Sequence, residues 1–248
     1  MAISFTKILW LDSVESTNTW VADFTEQYPA ETHGLVVAAK EQTAGRGQRG
    51  NVWQSAPNEN LTVSICLQPI TLKATELFVL SQWVALSVLA VLKEVLPHAK
   101  IQLKWPNDIL INHKKIAGIL IENQITGSFV SKSIIGIGLN INQTIFPGSL
   151  SATSLAIESG RQFDPKDILN LILDQLEIRH DWLLHQRPLL KVQYLRSLLG
   201  YQEWLRYETN TGEQFEAEIV DVEISGRIVL QTGLRVRAFQ FQELKMLL

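Results

Sequence analysis

The chain has 248 residues, 46% hydrophobic and 19% charged, with a formal net charge of −3. That length fits one large domain or one with a small appendage, and the apolar share is enough for a real core. The slightly acidic balance argues against an electrostatic grip on DNA or RNA as the main task, and a single cysteine excludes an intrachain disulfide.

Strand and helix signals alternate from the start. TKILWLD (6–12) reads as a strand, and Ser16-Thr17-Asn18 supplies cap chemistry for a helix running to about Tyr28. No secretory signal precedes it, because ILWL is too short for an apolar signal core. GLVVAAK (34–40) is a short strand, followed directly by a glycine-bearing loop. LTVSICL (61–67) alternates as a strand and carries Cys66, which reads as a packed thiol with no base beside it. A long helix at about 74–96 includes the uncharged run 77–92. That run falls short of the roughly 20 residues needed to cross a bilayer, so it reads as a buried helix. The chain is therefore expected to be soluble and cytoplasmic.

IQLKW (101–105) is the next strand, and Pro106 makes PND (106–108) a turn. Strands at about 115–123 and 129–141 follow, then a Gly/Ser/Pro-rich loop at 147–165 and helical patterns over about 166–199. Beyond Gly200 short strands are punctuated by TG and SG turns. The expected division is an α+β unit with a mixed sheet at 1–199 and a small β-barrel-like unit at 200–248. Five scattered histidines, with no H-E-x-x-H or C-x-x-C, argue against a caged transition metal.

TAGRGQRGNVW (43–53) contains a literal G-x-G-x-x-G at Gly45, Gly47 and Gly50. A dinucleotide-binding turn also needs a helix opening on the third glycine and an acidic residue about 20 positions on. Neither is present: residues 51–60 carry Pro57 and three asparagines, and after Glu59 the next acid is Glu76. What remains is an irregular loop bringing Arg46 and Arg49 together with backbone N–H donors. It is either an anion-binding loop or a solvated one with incidental arginines.

In SIIGIGLNIN (133–142) alternation puts Ile135, Ile137, Leu139 and Ile141 on one face and Gly136, Gly138 and Asn140 on the other. The bare face either leaves room for a flat ligand or lets another backbone pack closely. KWPNDILINHKKIAGILIE (104–122) is strand, turn and strand with Lys104, Lys114 and Lys115. Alternation does not say which lysine enters a site.

Together these residues resemble biotin protein ligases of the monofunctional type, which lack an N-terminal DNA-binding domain. The match runs in order through Ser16-Thr17-Asn18, Gln42 with the glycine loop and Trp53, Lys104-Trp105-Pro106-Asn107-Asp108, Lys115-Ile116-Ala117-Gly118 and Gly136-Ile137-Gly138-Leu139-Asn140. Each motif alone is weak, but five in order are specific.

The resemblance implies a catalytic domain of the biotin/lipoate ligase type followed by an SH3-like β-barrel. It also implies a reaction of biotin with Mg²⁺-ATP to biotinyl-5′-AMP, then transfer to one lysine of a biotin carboxyl carrier domain. No nucleic-acid or membrane partner is expected, and a homodimer stays open.

By matched position, Arg46 and Lys115 are the implied catalytic pair, holding the biotin carboxylate and the α-phosphate. Ser16, Thr17, Asn18 and Gln42 are implied to contact biotin, with Gly47, Gln48, Gly118 and Gly136 lining its pocket. Gln48, Trp53, Asn107 and Asn140 are implied to bear on ATP or the adenylate. Asp108 either helps with Mg²⁺ or only holds its turn. Gln48 departs from the arginine that many members carry there, so the adenylate is expected to be held less firmly unless Arg49 compensates. The competing readings are a lipoate or octanoate ligase or transferase of the same fold, and a non-catalytic biotin-binding regulator.

Overall fold

The computed structural model describes residues 3–5, 7–68, 72–148 and 150–247, with only the backbone of Glu31 and Arg49. The compensating role expected of the Arg49 side chain lies outside the described residues. The alternation in the first 140 residues becomes a seven-stranded mixed sheet. Its strands are β1 (Lys7–Leu11), β2 (Leu35–Ala39), β3 (Leu61–Leu67), β4 (Ile101–Lys104), β5 (Asp108–Ile111), β6 (Lys114–Thr126) and β7 (Phe129–Leu139), ordered β1-β2-β3-β7-β6-β5-β4. β1 and β2 are parallel and the other pairs antiparallel. The bond between Trp105 and Pro106, in the β4–β5 turn, is cis.

Both faces of the sheet's centre are covered, which is why β2 and β3 are buried at every position. Val36, Ala38, Val63, Ile65, Ile135 and Ile137 point into the main core, shared with α2 (Phe78–Val95). The intervening positions Leu35, Val37, Cys66 and Ile134 form a second cluster with Val21 of α1 (Thr17–Gln27). Side chains on a strand alternate between faces, so one set of strands supplies both.

α2 is apolar around its circumference because it packs on α4 (Pro165–Ile178), α5 (His180–Leu184), α6 (Arg187–Ser197) and the sheet. By length and composition it could cross a membrane, but most of its apolar stretch is buried inside the fold. Trp83, fully buried in it, donates its Nε1–H to the Leu176 carbonyl (3.2 Å).

The helical stretch expected at 166–199 breaks after Ile178 and again after Leu184. Pro188 in the first turn of α6 explains the second break, since proline cannot extend a preceding helix. The loop expected at 147–165 holds a five-residue helix, α3 (Leu155–Ser159), started by Ser154 accepting the Ile157 N–H (3.2 Å).

β8 (Trp204–Thr209), β9 (Gln214–Val222), β10 (Ile228–Thr232), β11 (Arg235–Phe239) and β12 (Leu244–Leu247) form a second, antiparallel sheet ordered β11-β10-β9-β8-β12. These five antiparallel strands are the small β unit expected at the C-terminus; among the described residues no ladder joins β11 to β12. The unit packs on the first sheet. The Gly226 carbonyl accepts the Trp105 indole N–H (2.9 Å), and at φ +90 the glycine presses against the Phe78 ring, where a Cβ would have no room. Tyr207, Ala217 and Ile219 join the main core.

Candidate active site

On the α1 face of the sheet the apolar cluster gives way, a few residues along each strand, to polar and bare positions. β3 presents Ser64 and Thr62 there, and opposite them β7 presents Gly136 and Gly138. Thr62, Gly136 and Gly138 floor a cavity of about 430 Å³, and Ser64 is fully buried beside it. Its rim is the glycine loop, which folds back on itself rather than opening a helix. The Gly47 N–H donates to the Asn51 carbonyl (2.7 Å) and the Trp53 N–H to the Gly45 carbonyl (3.0 Å).

That turn aims the Trp53 indole over β6 and β7. A Cβ on Gly138 would collide with the indole, and one on Gly118 would meet it at 3.2 Å. A Cβ on Gly136 would meet Asn18 Oδ1 at 2.5 Å. The bare strand face thus receives flat groups from the chain itself, an indole and an amide.

At the start of α1 the buried polar side chains satisfy one another, as buried polar groups must. Gln42 Oε1 accepts both the Thr17 N–H (2.8 Å) and the Thr17 hydroxyl (3.1 Å). Ser64 Oγ lies 2.7 Å from Thr17 Oγ1 and 2.6 Å from Asn18 Oδ1, so its single proton serves one of them. Asn18 Nδ2 donates to Glu122 Oε2 (2.8 Å). Such a network fixes side-chain orientation beside the cavity.

Cations gather at the mouth. Arg46 donates to Glu122 Oε1 and to Thr19 Oγ1 (3.2 Å). Lys115 Nζ lies 2.7 Å from Asp108 Oδ1 and 5.5 Å from the centre of the Trp53 ring. Lys104 is partly buried, and that burial holds its ammonium below the ordinary lysine value. Asp108 opposes the shift, while Lys115 and Lys245 add to it. A negatively charged ligand would relieve this crowding.

All the sequence-predicted site residues except Asn140 line this cavity. Asn140 is buried behind it and donates to the Thr153 carbonyl (3.0 Å) and the Lys115 carbonyl (3.4 Å), so it braces the backbone that carries Lys115. Asn107 lines the wall, its Nδ2 on the Ile119 carbonyl (3.0 Å). Asp108 has Lys115 as its partner, and among the described residues no group of three His, Cys, Asp or Glu could hold a metal. Among the described residues the side chains of the cavity do not make a resident ion site.

Sequence reasoning missed Ser64, Thr19, Glu122 and the contribution of the second sheet, which lends Tyr207, Lys245 and Met246 to the wall. The hydroxyls at alternate positions of LTVSICL were a usable signal for Ser64. Nothing local marked Lys245. Among the described residues the Tyr207 hydroxyl and the Trp53 indole N–H are buried without a partner, which leaves both polar groups to a ligand or water.

Residues 10–140 match the model of the biotin/lipoate A/B protein ligase family. The chain is 34% identical over 234 residues to a bifunctional ligase/repressor BirA of Bacillus subtilis, covering 91% of this chain and 70% of the relative. It is 30% identical over 229 residues to a biotin–[acetyl-CoA-carboxylase] ligase of Mycobacterium tuberculosis, covering 91% and 84%. Among solved structures, the biotin protein ligase from Aquifex aeolicus in complex with biotin and ATP superposes with a TM-score of 0.79 at 25% identity, over 98% of this chain and 99% of that one.

Proposed function

Because the chain belongs to the biotin/lipoate A/B protein ligase family, we propose that its cation-rimmed cavity carries out ATP-dependent biotinylation, with Arg46 and Lys115 as the catalytic cations. The chain is a ligase that uses biotin and ATP. In the first step a biotin carboxylate oxygen attacks the α-phosphorus of Mg²⁺-ATP, and pyrophosphate leaves. In the second the ε-amine of an acceptor lysine attacks the acyl carbon of biotinyl-5′-AMP. AMP leaves with the bonding pair, and the amine loses its proton.

Neither step needs an enzyme nucleophile. The single cysteine is buried, its thiol pushed up to about 11 by that burial, so it is no thiolate at neutral pH. Catalysis is positioning plus stabilisation of developing negative charge. Ser16 and the hydrogen-bonded network of Thr17, Asn18 and Gln42 supply directional donors and acceptors for the neutral head group of biotin. Arg46 and Lys115 bridge carboxylate and α-phosphate. Trp53, Gln48 and Asn107 border the adenylate, while Lys104 and Lys245 face the leaving polyphosphate.

The observation that carries this reading is the convergence of Arg46 and Lys115 on one cavity floored by that network. Residues 1–199 form the catalytic unit, and 200–248 close its mouth. The acceptor is a carboxylase carrier domain met in the cytoplasm by a single copy or a homodimer. The net charge of −3 supports the absence of a nucleic-acid partner.

The test is to incubate the purified chain with biotin, Mg²⁺-ATP and a carrier domain and to weigh the carrier. One biotinyl group on one lysine, formed only with ATP, is the expected outcome. An unmodified carrier would contradict the assignment.

A further inference from the structure

Neither Arg46 nor Lys115 is waiting free. Lys115 rests on Asp108, and Arg46 rests on Glu122, a residue that no motif singled out. Glu122 lies on β6 two positions beyond Leu120 and four beyond Gly118, on the face that lines the cavity. It sits where the polar floor meets the apolar cluster under α1, opposite Ile134.

Its two oxygens have different duties. Oε1 accepts from the Arg46 guanidinium, while Oε2 accepts from Asn18 Nδ2 at 2.8 Å. A carboxylate only accepts, so it dictates which end of the Asn18 amide faces it. The amide nitrogen must point to Glu122 and the oxygen to Ser64, which lies 2.6 Å away. The Ser64 proton then goes to Asn18, and the single Thr17 hydroxyl proton serves either Ser64 Oγ (2.7 Å) or Gln42 Oε1 (3.1 Å), which also accepts the Thr17 N–H. Glu122, with the Leu120 carbonyl as a longer second acceptor (3.4 Å), thereby fixes the Asn18 amide and through it the Ser64 proton.

We infer that Glu122 is the resident counter-ion and positioning residue of this site: one oxygen orients Asn18, and the other holds Arg46 until a ligand anion takes the guanidinium over. This rests on the reading of Arg46 as the cation that receives the biotin carboxylate. An incoming acid exchanges partners with Glu122 rather than meeting a bare charge, so its affinity is set by a competition. A neutral ligand of the same shape meets no such competition. The guanidinium and the carboxylate are each partly exposed, with side-chain exposures of 48% and 36%. The competition is therefore modest and screened by salt.

Glu122→Gln separates the two duties. The side-chain amide oxygen still accepts from Asn18, but its NH2 is a donor turned toward a donor, so Arg46 is released. Calorimetry with biotin and with its neutral primary amide reads the difference. At low salt the variant is expected to bind biotin about threefold more tightly, the gain shrinking as salt rises, with amide affinity unchanged. In an Arg46→Ala background Glu122→Gln should leave biotin affinity unchanged, because the partner in competition is gone.

A parallel shift of acid and amide, or a gain that survives in Arg46→Ala, overturns the inference. If Glu122→Gln fails to fold, the unsubstituted chain still decides. The nitrogen resonances of the Arg46 guanidinium should move on adding biotin and stay on adding the amide, and equal movement overturns the inference. Failure of the unsubstituted chain to bind either ligand would instead remove the functional reading beneath it.

Discussion

The two faces of the seven-stranded sheet are made by the same strands and do opposite work. On the α2 face the paired positions Val63, Ile65, Ile135 and Ile137 of β3 and β7 are branched hydrocarbons, all nearly or fully buried. On the α1 face the alternate positions of the same strands run from Cys66 and Ile134 to Ser64 and Gly136, then to Thr62 and Gly138. Apolar packing there belongs to the part of α1 from Trp20 to Phe24, and beside its first turn the removed side-chain volume is refilled by Asn18, Trp53 and a cavity. The difference teaches that the site is made by subtraction on one face of a sheet stabilised from the other. The α2 face carries the folding free energy, and the α1 face can then afford polar networks and unpaired groups.

Breaking the stabilising face should have the largest effect. Trp83→Ala deletes a fully buried indole and its bond to Leu176, and should cost about 3–5 kcal/mol in urea unfolding. Biotin affinity under native conditions should change little. A large affinity loss at full folding would show that the faces are not independent.

The smallest effect sharpens the other side. Gln48 lines the cavity in the short turn Gln48–Gly50 and is neutral. Gln48→Arg would replace a neutral hydrogen bond with a charge-assisted one, so biotinyl-AMP should leave about fivefold more slowly. Stopped-flow release at equal rates would remove any role for charge at this position.

Much of this was legible because it depends on period and order. The alternation of Ile135, Ile137 and Leu139 with Gly136 and Gly138 gave the two faces of β7 correctly, and the ordered motifs fall at strand ends and loops that one sheet brings together. Period tells which face a residue takes but not what covers that face, so Trp53 seated over Gly138 was invisible. So was Lys245, brought to the mouth by a second sheet more than a hundred residues away in sequence. α3 is too short for a periodic signal, and only Ser154 and Gly160 marked its ends. Glu122 was hidden for another reason: it looks like any polar residue late in a strand, and only its two partners give it a meaning.

The central claim is that the polar face activates biotin through Arg46 and Lys115. Exchange of labelled pyrophosphate into ATP, with biotin, lipoate or octanoate as the acid, tests it most directly. Exchange should occur with biotin alone and fall about 10²–10³-fold in Arg46→Ala and in Lys115→Ala, as for other preorganised charge donors. Exchange supported by lipoate or octanoate, or a loss below tenfold in both variants, would contradict it.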